Sequence, residues 1–149
     1  MEKVKKSAKF IRLCKKYEVD PEKVPEVLSF EEACKVTGDN EKKLPVVTGI
    51  AERHKKRILA DYMLSIIAEA LKGNEKANYN DTDEYKYYAV FLVKADVKRP
   101  SGFGLSYHDY AYWSSYSSVG VRLCFKNRDT AIFFGKHFIG LHTDHHLYT

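Results

Sequence analysis

The segment from Tyr85 to Leu141 constrains the fold of this chain more than any other part of it. It contains the single tryptophan, most of the eleven tyrosines and most of the eight phenylalanines of a 149-residue chain. Large aromatic side chains dominate the packing of cores and interfaces, because each can bury roughly 150–250 Å². The segment therefore predicts where the core and any recognition surface lie, without indicating what is recognised.

Three stretches of this segment have the alternation of β-strands. Residues 87–96 are apolar on both alternating faces, which is typical of a central strand buried on both sides. Residues 103–113 follow a turn at 99–104 that contains two glycines and a proline. Residues 119–126 alternate between apolar and other side chains and predict a third strand. Because the connections are short, we expect antiparallel pairing in a three-stranded meander.

The helices are predicted from apolar spacing and from capping residues. Residues 51–72 carry apolar doublets four residues apart, which places them on one face of a helix ending at Gly73. Ser29, with Glu32 three residues later, has the spacing of a capping box, and Gly38 is a natural stop. Residues 3–17 have a helix-forming composition with a narrow apolar stripe.

Asn127 is placed to cap one last helix that runs on through Leu141. These elements predict an α+β fold, with a three-stranded antiparallel meander packed against a long central helix and a C-terminal helix, and shorter helices near the N-terminus. The length fits one domain. We divide the chain into a basic N-terminal helical arm, residues 1–26, and a single α+β domain, residues 27–149.

Positive charge is concentrated in the arm. Residues 1–16 contain seven lysines and arginines against one glutamate, a net charge of +6. Since the whole chain carries +5, the remaining residues sum to −1 and are close to neutral. One interpretation is a solvated basic tail, and the other is a contact with a polyanion, where neutralised phosphates release counterions.

Composition predicts a cytoplasmic protein. No apolar run approaches the roughly 20 residues of a membrane span, and the first residues lack the apolar stretch of a signal peptide. Cys14, Cys34 and Cys124 are odd in number and far apart, which favours free thiols in a reducing compartment.

A basic and aromatic surface is the main candidate for binding. Cations at the start of the central helix oppose its dipole, which hints weakly at a function there. Cross-strand packing explains about half of the aromatic side chains between Tyr107 and Tyr116. We expect the others to form an exposed platform on which bases stack. The candidate residues for nucleic acid or phosphate are Lys5, Lys6, Lys9, Arg12, Arg53, Lys55, Lys56, Arg57, Arg99, Arg122 and Lys126. The candidate platform is Tyr107, Tyr110, Tyr112, Trp113 and Tyr116.

Catalytic and metal chemistry are predicted to be absent. His142, His145 and His146 are weak metal candidates, because a zinc site needs three or four convergent ligands and a polar chain end explains them as well. Cys124 and His137 are a candidate nucleophile and base, but a mid-strand cysteine is more simply a packed, inert thiol. We expect no metal, no cofactor and no enzymatic activity.

Several segments resemble a known family. The strings VGVRLCFKNRDTAIFFGKHF, EYKYYAVFLV and SGFGLSY, with the helix segment IIAEALKGN, are similar to those of small uncharacterised proteins from gut bacteria and their bacteriophages. The resemblance covers roughly residues 27–142. It implies a phage or mobile-element accessory protein, located in the host cytoplasm if phage-encoded, and it transfers no site residues, since no activity is established for the family.

Two functional hypotheses follow. The first is a non-enzymatic protein that binds nucleic acid or a phosphorylated nucleotide through its basic and aromatic surface. The alternative is a protein-interaction or assembly component, virion-associated or host-antagonising, whose exposed tyrosines and tryptophan capture a protein partner. Neither hypothesis involves a membrane, and the oligomeric state is left open.

Overall fold

The structure is a computed structural model and describes residues 3–147. Within these residues the chain forms five α-helices and one β-hairpin, so the α+β class is confirmed. The elements, in chain order, are α1 (Ala8–Tyr17), α2 (Phe30–Thr37), α3 (Glu52–Lys72), β1 (Lys86–Ala95), β2 (Phe103–Trp113), a 3₁₀ turn (Val121–Leu123), α4 (Arg128–His137) and α5 (Ile139–His146). No helix in the described part of the chain is both long enough and apolar enough to cross a membrane.

The predicted third strand at 119–126 is wrong. Instead, the chain turns at Gly120, whose φ of 83° suits glycine, and enters the 3₁₀ turn. Among the described residues, one antiparallel bridge joins Phe125 to Tyr87, so the sheet there has two strands and not three. The ammonium of Lys72, at the end of α3, donates to the carbonyl oxygens of Val121 (3.2 Å) and Arg122, which satisfies two acceptors that a ladder would otherwise pair.

The prediction of one continuous C-terminal helix is also wrong. The backbone leaves helical geometry at Phe138 (φ −101°, ψ 29°), which separates α4 from α5. Phe138 remains buried while the chain changes direction. The apolar spacing through Phe134, Phe138 and Leu141 was compatible with one helix, because burial at a bend produces the same pattern.

Most helix ends follow their local signals. The N–H of Glu32 donates to Ser29 Oγ (3.1 Å), and Gly38 ends α2 in the left-handed region at φ 84°. Asn127 caps α4 by accepting the N–H of Asp129 (2.8 Å). The starts of α3 and α5 are exceptions, because the residues at their N-caps, Ala51 and Phe138, provide no side-chain acceptor.

Helix α1 is part of the main core. Phe10 and Cys14 are fully buried in the same apolar cluster as residues of α2, α3 and α4. The ring of Phe10 lies 5.6 Å from that of Phe133 on α4. Tyr17 Oη donates to His137 Nδ1 (2.9 Å), since His137 Nε2–H is used on the carbonyl oxygen of Leu28 (2.8 Å). The basic N-terminal helix is therefore anchored by apolar packing and by a polar contact with α4.

The hairpin is covered along only half of its length. The first half of β1 is buried and partly buried, whereas Leu92 to Ala95 are exposed, so the expectation of a strand buried on both sides applies to its first half alone. Helix α4 approaches the covered half at Gly135, where an added Cβ would lie 2.7 Å from Ala89 and 2.8 Å from the ring of Tyr107. A bulge in β2 at His108 shifts the register beyond Val90.

Candidate functional site

Four tyrosines pack together on one face of the hairpin, with neighbouring rings tilted at 50° to 63°. The rings of Tyr85 and Tyr112 lie 4.6 Å apart, and Tyr87 lies 5.9 Å from Tyr112 and 5.7 Å from Tyr110. The register explains the stack, because Tyr87 pairs with Tyr112 and Ala89 with Tyr110 across the two strands. Tyr85 and Tyr112 are each about half exposed, at 51% and 52%, so they present ring surface to solvent. We call these four residues the tyrosine stack.

The other members of the predicted platform do not join the stack. Trp113 Nε1–H donates to Tyr88 Oη (2.7 Å), and the Trp113 ring packs at 5.9 Å against Tyr116. Tyr107 packs against α4 beneath the ammonium of Lys136, and burial raises its pKa to about 12. Of the predicted platform, Tyr110 and Tyr112 therefore belong to the stack, whereas Trp113 and Tyr116 form a separate pair.

A shallow depression with a basic rim adjoins the stack. Its volume is about 540 Å³, and its wall includes Tyr87, Lys23, Lys126 and Arg128. Arg128 lies beside Tyr110, whose side chain is the largest cause of the raised pKa of its guanidinium. Cations next to exposed rings are the combination that single-stranded nucleic acids meet in their binding grooves.

Acidic groups partly offset this basic rim. Glu84 lies 3.4 Å from the ammonium of Lys126, and Glu75 also lines the depression. The N–H of Asn78 donates to Glu84 (2.8 Å), and this bond, with Lys126 and Lys86 nearby, lowers the pKa of Glu84 and keeps it ionised. Lys126 is therefore partly neutralised.

The loop between α1 and α2, most of which belongs to the basic arm, connects the depression to the segment before α1. Asn127 Nδ2–H donates to the carbonyl oxygen of Lys23 (3.0 Å), which holds Lys23 at the start of α4. The ammonium of Lys6 donates to the carbonyl oxygens of Val24 (2.6 Å) and Pro21. The beginning of the arm is thus fixed beside the loop that supplies Lys23.

The remaining basic candidates lie on several different surfaces. Lys5, Lys9 and Arg12 are exposed on α1 and the segment before it. Arg53, Lys55, Lys56 and Arg57 begin α3, where Arg53 and Arg57 line a depression beside α5. Arg99 lies in the hairpin turn, near Gly104, and Arg122 lies in the 3₁₀ turn. The structure does not gather these residues into one continuous surface with the stack.

The chemically reactive candidates are accounted for by packing. Cys124 is buried, and His137 uses both ring nitrogens on Tyr17 and Leu28. Within residues 3–147, no group of three or more His, Cys, Asp and Glu side chains is arranged to hold a metal ion. His142 is 2% exposed and packs in the core.

Comparison with known proteins identifies no relative. No protein-family model, no curated protein and no solved structure matches the chain. The family resemblance of the sequence therefore stays a prediction, and the geometry of the surface carries the functional argument.

Four residues of this surface are missing from the predicted set: Lys23, Tyr85, Tyr87 and Arg128. Tyr85 and Tyr87 could have been predicted from the sequence, because residues two apart on a strand share a face. The paired strand carries Tyr110 and Tyr112 at the same spacing. Lys23 had none, because its place beside the hairpin depends on a tertiary contact with Asn127.

Proposed function

We propose that this protein is a non-enzymatic accessory protein of a phage or mobile element that binds single-stranded nucleic acid, or a phosphorylated nucleotide, in the host cytoplasm. The observation that carries the proposal is the half-exposed tyrosine stack beside Lys23, Lys126 and Arg128. Single strands are favoured over duplexes, because their bases are free to stack on exposed rings.

The tyrosine stack and the basic rim contact different parts of the nucleic acid. Bases stack on Tyr85 and Tyr112, whose faces accept any base, so we expect little sequence preference. Phosphates contact Lys23 and Arg128, whose cationic groups line the shallow depression beside the tyrosine stack. Since phosphate contacts release counterions, affinity should fall as the salt concentration rises.

Tyr112→Ala is expected to weaken the binding of a labelled single-stranded oligonucleotide by about 1–3 kcal/mol, the usual value of one base–aromatic stack, or roughly 5- to 150-fold. The measurement is fluorescence anisotropy with single-stranded DNA, duplex DNA and RNA, at low and physiological salt. Trp113→Ala is the matched control, because Trp113 is 48% exposed on the same strand but lies outside the stack.

Equal losses in the Tyr112 and Trp113 variants would argue against the stack as the binding surface. Affinity that does not change with salt would argue against phosphate contacts. Lys23→Gln with Arg128→Gln should reduce the salt slope by about one to two, whereas Arg99→Gln at the hairpin turn should leave it unchanged.

A second candidate function is protein interaction or assembly, and the uncovered half of the hairpin favours it. Val93, Val97 and Phe103 are exposed there at 50%, 96% and 52%. Among the described residues, the two strands pair with each other and otherwise make one bridge, at Tyr87, so both edges of the outer half are open. Open apolar edges pair readily with strands of other chains.

If the hairpin serves assembly, light scattering during size-exclusion chromatography should show oligomers that grow with protein concentration. Val93→Lys should shift the protein to the monomer, because a charge on an exposed edge opposes strand pairing. A wild-type protein that stays monomeric across the accessible range, and binds nucleic acid, would leave this candidate without support.

A further inference from the structure

A small cavity lies between the hairpin and α5. Its volume is about 200 Å³, and its apolar wall is formed by side chains of the hairpin, the 118–123 segment and α4. The polar part of the wall includes Ser118 and three histidines, His142, His145 and His146. The cavity shares no residue with the tyrosine stack or its basic rim.

His142 contributes a buried hydrogen-bond acceptor to this wall. Its Nε2–H donates to the carbonyl oxygen of Phe134 (3.1 Å), so Nδ1 carries the lone pair of a neutral ring. That Nδ1 is buried without a partner, as is His145 Nδ1. Burial lowers the pKa of His142 to about 3, which keeps the imidazole neutral at physiological pH. Buried polar atoms are normally paired, so a bare acceptor beside a cavity points to a missing donor.

Aromatic rings surround His142. The rings of Phe91 and Phe134 both lie 4.6 Å from the imidazole, one tilted at 38° and the other nearly perpendicular at 84°. The cavity is somewhat larger than the ~150 Å³ engineered cavity that holds benzene. It has room for one aromatic ring with a small substituent.

A cationic depression adjoins the cavity. His145 and His146 line both, and Arg53 and Arg57 form the outer wall of the depression. Within residues 3–147, neither arginine forms an ion pair, whereas the nearby carboxylate of Asp61 lies 3.2 Å from His145 Nε2. Arg57 and His146 line this depression together, and burial, followed by the charges of His145 and Arg57, lowers the pKa of His146. These arginines are the cations whose position at the start of α3 had no structural explanation.

We infer that this cavity binds a small aromatic anion: one ring among Phe91, Phe134 and His142, bearing a carboxylate or phosphate that reaches Arg57. Guanidinium groups bind such anions through paired N–H donors. A ring that carries an O–H or N–H fits best, because this donor would pair with His142 Nδ1. The inference is independent of nucleic-acid binding by the tyrosine stack, since the two surfaces have no residue in common.

Titration calorimetry with the full chain tests the inference, using 4-hydroxybenzoate as the probe. We expect 4-hydroxybenzoate to bind saturably and more tightly than benzoate, which lacks the hydroxyl donor. Cyclohexanecarboxylate, which also lacks the aromatic ring, should bind more weakly than benzoate. Phenol, which lacks the anionic group, should bind most weakly. 4-Hydroxyphenyl phosphate, compared with 4-hydroxybenzoate, identifies which anionic group is preferred. In ¹H–¹⁵N spectra, the shifted amides should lie in β1, the 118–123 segment and α5.

Arg57→Gln should weaken 4-hydroxybenzoate binding roughly 10- to 150-fold, the range for a hydrogen bond to a charged group. Lys56→Gln is the matched control, because Lys56 is the exposed neighbour and lines neither cavity nor depression. His142→Phe should remove the preference for 4-hydroxybenzoate over benzoate. The inference is overturned if no aromatic probe binds saturably, if cyclohexanecarboxylate binds as well as benzoate, or if Arg57→Gln binds like the wild type.

Discussion

Replacing Phe10 with alanine is expected to lower the free energy of unfolding by about 3–5 kcal/mol, the usual cost of truncating a buried phenylalanine. Phe10 is 0% exposed and packs at 5.6 Å against Phe133 of α4, so its removal leaves a cavity between two helices. Such a loss is a large part of the ~5–15 kcal/mol that stabilises a typical domain. Urea denaturation followed by circular dichroism measures it.

Ile11→Ala is the control for the Phe10 variant, because Ile11 is the next residue of α1 and is 48% exposed. Its effect should be much smaller. Phe10→Leu should fall between the two and provides a reading if the alanine variant does not fold. Similar stabilities for the Phe10 and Ile11 variants would mean that α1 does not pack on the core.

The stability of the protein is expected to fall by about 2 kcal/mol between pH 7 and pH 5 because of His142 alone. Its pKa is lowered to about 3 by burial, against an ordinary value of 6.5, so the unfolded chain binds a proton that the folded protein excludes. The contribution of neutral His142 to the free energy of unfolding is fully present above pH 6.5. It is lost progressively as the pH falls toward 3, at up to about 1.4 kcal/mol per pH unit. Urea midpoints measured at half-unit intervals test the slope.

His142→Phe should flatten this pH dependence, because the phenyl ring fills the same space without a titrating group. The variant gives up the hydrogen bond to the Phe134 carbonyl oxygen, so it should start from a lower stability at pH 7. His108→Phe is the control, since it makes the same substitution at an exposed histidine. An unchanged slope in the His142 variant would contradict the assignment of a buried neutral imidazole.

Local signals predicted the elements that local chemistry determines. The capping serine at Ser29, the stop at Gly38 and the long helix ending at Gly73 depend on neighbouring residues, and all three are confirmed. The strand predicted at 103–113 also has the bounds found in the structure. In each of these segments, side-chain spacing and backbone hydrogen bonding favour the same conformation.

The third strand could not be decided from alternation, because long-range contacts determine what residues 119–126 do. Lys72 donates to the carbonyl oxygens of the 3₁₀ turn from a position about 50 residues earlier in the chain. The residues of the candidate surface could not all be predicted for the same reason, since Lys23 reaches the hairpin through a contact with Asn127, 104 residues away. Periodicity shows which faces are apolar but does not show which distant group meets them.

The packing of α1 against α4 has a consequence for how the chain folds during synthesis. Tyr17 and His137 meet across 120 residues of sequence, so the first helix cannot complete its part of the core until the residues up to His137 have left the ribosome. Contacts of such long range close late and slow the overall folding rate. Until then, Phe10 lacks its α4 partner Phe133, and the exposed lysines of α1 keep the segment charged, which opposes association with other nascent chains.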